Sequence, residues 1–121
     1  MLLMGELERR IMDLLWDAGR PLTAAELRDS LDTDGTETPA ITTVLTVLSR
    51  LERKDFVRRD RKRRPHLYEP ARSRAEHMAE LMHDVLRHSP EQEAVLARFV
   101  RSAGPKEAEL LRNLLNDEPA P

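Results

Sequence analysis

The fold is decided by residues 41–70, which read ITTVLTVLSRLERKDFVRRDRKRRPHLYEP. Apolar residues recur at helical spacing in the first half, and this period predicts an amphipathic helix. The second half has apolar ends around a basic centre, which is typical of a two-stranded hairpin with a polar tip. This stretch therefore predicts a helix that leads into a basic hairpin.

The predicted helix spans residues 39–54, with Thr38 as its N-cap and Pro39 in its first turn. Successive residues lie 100° apart, which places Ile41, Val44, Leu45, Val47, Leu48 and Leu51 on one side. The other side consists of short hydroxyls and guanidiniums, namely Thr42, Thr43, Thr46, Ser49, Arg50 and Arg53. No carboxylate lies among them, because Glu52 projects elsewhere. Such a helix fits the ~12 Å major groove of DNA, where Arg can pair with guanine. We predict a recognition helix; an exposed structural helix is the alternative.

The predicted hairpin has Phe56, Val57, Leu67 and Tyr68 at its base. Residues 41–68 carry nine basic and three acidic side chains, a net charge of +6, whereas residues 1–40 have a net charge of −5. A basic block in an otherwise acidic chain favours a phosphate-rich partner. We expect a wing on DNA phosphates or in a minor groove, with a solubilising hairpin as the alternative. Its tip contains Arg61, Lys62, Arg63 and Arg64.

Two further helices precede this stretch. The apolar spacing predicts the first over residues 5–18, and Thr23 with Glu26 forms a capping box that opens the second, which ends near Leu31. Residues 32–38 contain turn formers and no apolar side chain, which predicts a loop. Three helices and a basic hairpin make a winged helix-turn-helix over residues 1–71.

The remainder is predicted to be a helical dimerisation region over residues 72–116 with a disordered tail at residues 117–121. Its three helices open at the Ser73 to Glu76 capping box, at Ser89 and at Gly104. About fifty residues are too few for a well-buried independent core, so their apolar faces predict a homodimer. The faces carry Met78, Leu81, Met82, Val85, Leu96, Phe99, Val100, Leu111, Leu114 and Leu115.

Composition excludes several classes of protein. The chain has 121 residues, of which 40% are hydrophobic and 35% charged, and no Cys. This size excludes a large enzyme scaffold, and the apolar runs are too short for direct membrane insertion. The lack of Cys removes disulfides and thiolate zinc sites and fits a reducing cytoplasm. No export signal opens the sequence, so we expect a cytoplasmic protein.

Metal and catalytic chemistry find no support in the sequence. His77, His83 and His88 are predicted on one helix at intervals of six and five residues, whereas ligands on one helical face need three or four. We expect these three and His66 to be surface or interface residues, with no metal site. No nucleophile with a neighbouring His and Asp and no glycine-rich phosphate loop is indicated. We therefore predict no catalytic residue and no cofactor.

The sequence resembles the BlaI/MecI penicillinase-repressor family over nearly its whole length. The most specific match runs from Thr42 to Leu51 and on to Lys54, and the segments Leu7 to Trp16, His66 to Pro70 and Glu109 to Leu115 are also similar. Asp55 stands where the family usually has glycine, and Asp tolerates a left-handed backbone better than most residues. Copper-responsive relatives carry a cysteine cluster, which this chain lacks.

The resemblance implies a homodimeric repressor that binds a palindromic double-stranded DNA operator through its winged helices. It also implies a membrane-bound sensor protease that responds to β-lactam and leads to cleavage in the dimerisation region. The residues that match the family's cleavage site are Arg98 and Phe99, although the family commonly has Asn at the former position. A repressor that responds to a small ligand and a winged helix used as a protein-interaction module remain alternatives.

Overall fold

The computed structural model describes residues 4–32 and 37–117. These residues form six helices and one antiparallel hairpin, so the prediction of a mainly helical winged helix-turn-helix is confirmed. The elements are α1 (Glu6–Ala18), α2 (Ala24–Leu31), α3 (Ile41–Arg53), β1 (Val57–Asp60), β2 (Leu67–Pro70), α4 (Arg74–Arg87), α5 (Gln92–Ser102) and α6 (Pro105–Asn116). Part of the predicted loop, residues 33–36, and residues 118–121 of the predicted tail lie outside the described residues.

Both predicted capping boxes are present. The amide of Glu26 donates to Thr23 Oγ1 at 3.1 Å, and the amide of Thr23 donates to Glu26 Oε1 at 3.0 Å. The same reciprocal pair joins Ser73 and Glu76, at 3.0 and 3.1 Å. Each box satisfies two backbone donors at the start of a helix, and the two boxes set the starts of α2 and α4.

The predicted start of α3 is wrong. Its N-cap is Ala40, whose carbonyl accepts from the amides of Thr43 and Val44 at 3.0 and 3.1 Å. Thr38 and Pro39 precede the helix, and Ala40 has an extended backbone with ψ 152°. The helix therefore begins at Ile41, two residues after the predicted start.

The end of α3 agrees with the resemblance at Asp55. This residue has φ 65°, the left-handed conformation for which glycine is usual. Arg72 holds the turn from outside, because its guanidinium donates to the Asp55 carbonyl at 2.9 Å and to its carboxylate at 3.2 Å. The chain then enters β1 directly, which keeps the hairpin next to α3.

The core of the winged helix unites α1, α2, α3 and the base of the hairpin. It consists of Ile11, Met12, Leu15, Leu22, Leu27, Leu31, Val44, Val47, Leu48, Leu51, Phe56, Val57 and Tyr68. Leu45 is 41% exposed, so the prediction that it faces inward is wrong. Leu45 lies at the edge of the apolar stripe, on the side of the helix that also carries Ser49 and Glu52.

Leu22 extends the hairpin through a contact that the sequence pattern did not predict. In the hairpin, Val57 is paired with Pro70 and Arg59 with Tyr68. Leu22 adds an isolated bridge on the other edge of β2, with hydrogen bonds of 2.9 and 2.8 Å to Tyr68. The segment between α1 and α2 is therefore joined to the wing by backbone hydrogen bonds. The peptide bond between Arg64 and Pro65, in the turn, is cis.

The prediction of surface or interface histidines is wrong for His77. Its side chain is 2% exposed and lies against Trp16 and Phe56, with ring centroids 5.2 and 4.4 Å apart. Tilted and T-shaped arrangements of aromatic rings are favourable, and the imidazole packs between α1 and the residue before β1. His88 is not on the fourth helix, because α4 ends at Arg87.

The chain divides into two compact units, one ending at Met82 and one beginning at His83. In the first unit, the start of α4 is tied to α1 by Arg74, which pairs with Asp13 and Asp17 at 3.3 and 3.0 Å. Trp16 Nε1 also donates to the Arg72 carbonyl at 2.9 Å. In the second unit, α5 and α6 contain no buried side chain.

Candidate nucleic-acid interface

The outer face of α3 presents hydroxyls and guanidiniums to solvent. A shallow depression of about 210 Å³ on this face is lined by Thr42, Thr43, Thr46, Val47 and Arg50. The three threonines and Arg50 are exposed, as is Arg53. The structure thus brings together all but one of the side chains predicted to face DNA from this helix.

The remaining residue of that set, Ser49, is turned toward the wing. It is half-buried, and its Oγ accepts a hydrogen bond of 3.3 Å from Arg59 Nη2. The position lies at the flank of the outer face, where the helix meets β1. Ser49 therefore contributes to the contact between the helix and the wing.

Thr46 has a hydroxyl whose direction is fixed. Its Oγ1 donates to the Thr42 carbonyl at 2.9 Å. A hydroxyl has one hydrogen and two lone pairs, so the bond leaves Thr46 with acceptor capacity toward a partner. The side chain can accept from a base amino group or touch a methyl group, but it has no free donor.

The carboxylate of Glu52 forms ion pairs with two arginines of the hairpin. Arg59 Nη2 lies 3.1 Å from Oε1, and Arg61 makes a two-pronged contact, with 3.0 Å to Oε1 and 2.8 Å to Oε2. Arg59 also lies over the Tyr68 ring, 5.2 Å from its centroid. The expectation that Glu52 projects away from the outer face is confirmed, and its destination is the wing.

The tip of the wing carries exposed cations. Arg61, Lys62, Arg63 and Arg64 are all exposed. Asp60 shapes the turn, because its carboxylate accepts from the Lys62 amide at 3.0 Å and lies 3.8 Å from Arg63 Nε. At that distance and exposure the latter pair is weak, so Arg63 can bind another anion.

The base of α3 is anchored to α1 by an ion pair. Lys54 Nζ lies 2.9 Å from Glu8 Oε2. Burial by itself raises the pKa of Glu8, but the hydrogen bonds from Lys54 and Gly5 and the charges of Lys54 and Arg50 outweigh it, so the pKa lies below its usual value. This carboxylate stays charged near neutral pH and fixes the end of α3.

The predicted dimerisation residues lie mostly on the surface of the single chain. Leu81 and Leu111 are half-buried. The others range from 37% exposed at Met78 to 72% at Leu115, and they are Met78, Met82, Val85, Leu96, Phe99, Val100, Leu114 and Leu115. Val95 of α5 and Leu110 of α6, two further apolar residues, are also exposed.

The predicted cleavage residues lie inside α5. Arg98 is exposed and Phe99 is 45% exposed, and the bond between them lies within a helix that runs to Ser102. No helix in the described part of the chain is long and apolar enough to cross a membrane.

The sequence is similar to those of known proteins. Residues 4–117 match the family model described as penicillinase repressor. The chain is 38% identical over 115 residues to the transcriptional regulator BlaI of Mycobacterium tuberculosis, strain CDC 1551 / Oshkosh. The match covers 93% of this chain and 82% of the relative, and the same figures hold for the protein of strain H37Rv.

Proposed function

Since the chain belongs to the penicillinase-repressor family of transcriptional regulators, we propose that it represses transcription as a homodimer bound to a palindromic operator. The family consists of DNA-binding regulators, not enzymes. The observation that carries the proposal is the outer face of α3, which presents threonines and arginines without a carboxylate next to a wing of exposed cations. This composition suits DNA on both elements.

In this proposal α3 reads the major groove. Thr42, Thr43, Thr46, Arg50 and Arg53 face base edges or nearby phosphates, and Arg50 can form a bidentate pair with guanine. Leu45 is also exposed, but it lies on the flank of α3 with Ser49 and Glu52 and not on this face. Ser49 acts indirectly, by accepting from Arg59 of the wing.

The wing supplies affinity that depends little on sequence. Arg61, Lys62, Arg63 and Arg64 neutralise phosphates or enter a minor groove, which releases counterions and makes binding sensitive to salt. Phosphate contacts of this kind set the register of the protein on the duplex. Base contacts from α3 then select the sequence.

The proposed dimer is held by residues 72–116, and residues 1–71 bind DNA. Its support is the exposed apolar set on α4, α5 and α6, which no part of the described chain covers. An obligate interface buries on the order of 2,000 Å² or more. Dimerisation matches the symmetry of a palindrome, because each protomer reads one half-site.

Release from the operator is proposed to follow proteolysis between Arg98 and Phe99, triggered through a membrane-bound sensor protease. Phe99 and Val100 belong to the exposed apolar face of α5, so a cut there would detach part of the dimer interface. Linked half-sites bind about 10²–10⁴-fold more tightly than separate ones. The bond must first leave its helix by local opening. We propose that the repressor acts in the cytoplasm.

Selection of binding sequences from a random duplex library tests the proposal. The purified chain is expected to enrich a palindrome, and footprinting of the enriched duplex is expected to show two protected half-sites. Fluorescence anisotropy against a random-sequence duplex at several salt concentrations then measures specificity. Failure to enrich any sequence would contradict the proposed function.

A further inference from the structure

The wing and the recognition helix are joined by one carboxylate. Glu52 is on α3, and its partners Arg59 and Arg61 are on β1 and in the turn that follows. The Glu52 side chain is 24% exposed and that of Arg59 is 17% exposed, whereas Arg61 is 61% exposed. The inner pair is therefore partly shielded from water and the outer pair is open to it.

The inner pair fixes the strand to the helix. The Arg59 guanidinium contacts the Glu52 carboxylate, the Ser49 hydroxyl and the face of the Tyr68 ring. Arg forms a planar, rigid set of donors, and partners around it restrict its position more strongly than a single ion pair would. This cluster thus links β1 to both α3 and β2.

In the outer pair, the Glu52 carboxylate binds Arg61 as a phosphate group would. A guanidinium binds a carboxylate or a phosphate with the same two parallel N–H donors. Arg61 uses both terminal nitrogens on Glu52, at 2.8 and 3.0 Å. A DNA phosphate that takes this face of Arg61 must displace the carboxylate or share the arginine with it.

From these contacts we propose that Glu52 is a positioning residue that raises the discrimination between operator and random DNA by holding the wing against the recognition helix. The inference rests on the proposed DNA-binding function and adds a determinant of specificity to it. On an operator, α3 and the wing must fit the groove and the adjacent backbone together, so a prepositioned wing lowers the cost of ordering. On random DNA, contacts are mainly to phosphates, and a free Arg61 is the better ligand.

Two substitutions of Glu52 separate position from charge. E52Q removes the charge and weakens both arginine pairs. E52D keeps the charge but shortens the side chain by one methylene, so it cannot hold both arginines in the same geometry. If Glu52 merely repelled DNA, E52D would behave like the wild type. If it positions the wing, both variants lose discrimination.

The matched control is E69Q. Glu69 is exposed on β2 of the same hairpin, opposite Arg58 in the strand register. E69Q makes the same change in net charge as E52Q and leaves the contacts of Arg59 and Arg61 with Glu52 unchanged. We expect the ratio of operator to random-duplex affinity to fall roughly fivefold in E52Q and E52D and to change by less than about twofold in E69Q.

The measurement uses the full chain, the duplex enriched by the wild type and a random-sequence duplex of equal length, with anisotropy titrations at fixed salt. Hydroxyl-radical footprints of the operator are expected to lose protection at the wing contacts first. R59K, which keeps a cation but replaces the planar guanidinium that contacts Glu52, Ser49 and Tyr68, carries the same test if E52Q fails to fold. A wild-type ratio in E52D, or equal losses in E52Q and E69Q, would overturn the inference while the proposed function stands. A wild type that does not discriminate between the duplexes would overturn both.

Discussion

The imidazole of His77 and the ring of Phe56 form a T-shaped pair, with centroids 4.4 Å apart and planes inclined by 86°. The contact joins α4 to the segment between α3 and β1. His77 Nε2 is buried and has no hydrogen-bond partner among the described residues. A protonated imidazole carries an N–H donor on both nitrogens, and each donor needs an acceptor when it is buried. This site therefore favours the neutral ring.

The burial of His77 predicts that stability falls in mild acid. Burial lowers the pKa of His77; Glu80 opposes the shift and Arg72 reinforces it. In the unfolded chain the pKa of the imidazole is about 6.5. Below that pH the unfolded state binds a proton that the folded state does not, so the free energy of unfolding decreases until the folded-state pKa is reached. Urea titrations between pH 8 and pH 5 measure the slope.

His77→Phe is expected to remove that contribution, because the aromatic contacts remain and the titrating group is gone. His83→Gln provides the control, since His83 is exposed on the same helix. An unchanged pH slope in His77→Phe would show that other groups cause the acid sensitivity.

The exposed apolar face of α6 predicts that Leu114→Asp dissociates the dimer. Leu114 is 60% exposed in the single chain, so the substitution leaves the protomer's own contacts largely intact while it places a charge in the proposed interface. Sedimentation equilibrium should show monomers at micromolar concentration, and operator affinity should fall with the loss of bivalency. Asn113→Asp makes the same change in charge on the neighbouring residue. A dimeric Leu114→Asp protein would contradict the assignment of this face.

Thr46→Val tests direct reading by α3. The substitution keeps the shape and removes the oxygen that the Thr42 carbonyl orients. We expect the selected operator to bind about 1–3 kcal/mol more weakly, with a smaller change on a random duplex. Arg50→Ala should behave in the same way. Equal losses on both duplexes would argue against a groove contact for either side chain.

Arg63→Ala tests the wing. Its side chain is 72% exposed, and we expect it to contact phosphate and not bases. Binding should weaken to a similar degree on every duplex, and the slope of log K against log salt should fall by roughly one phosphate equivalent. A loss confined to the operator would instead assign Arg63 to sequence reading.

The proposed release mechanism predicts a defined fragment. After β-lactam challenge of the host, mass spectrometry of the repressor should detect a product that ends at Arg98, and a Phe99→Ala variant should be cleaved less. Transcript levels of the regulated gene are measured in the same cultures. Intact repressor at a derepressed operator would show that another signal ends repression.

The sequence by itself determined the features that arise within a few residues. Helical periods, the two capping boxes and the basic centre of the hairpin depend on side chains one turn or one strand apart, so their patterns are legible without a fold. The left-handed Asp55 is of the same kind, because the chain must turn between a helix and a strand that are adjacent in sequence.

Only the tertiary structure decided the features that join distant residues. The bridge from Leu22 to Tyr68 and the ring of His77 between Trp16 and Phe56 depend on contacts between segments far apart in sequence. The role of Glu52 also depends on tertiary contacts. The sequence predicts only that Glu52 projects away from the outer face of α3, whereas the structure places its carboxylate against Arg59 and Arg61. Local propensity is overridden wherever burial of a side chain against a remote segment stabilises the fold by more than the local preference does.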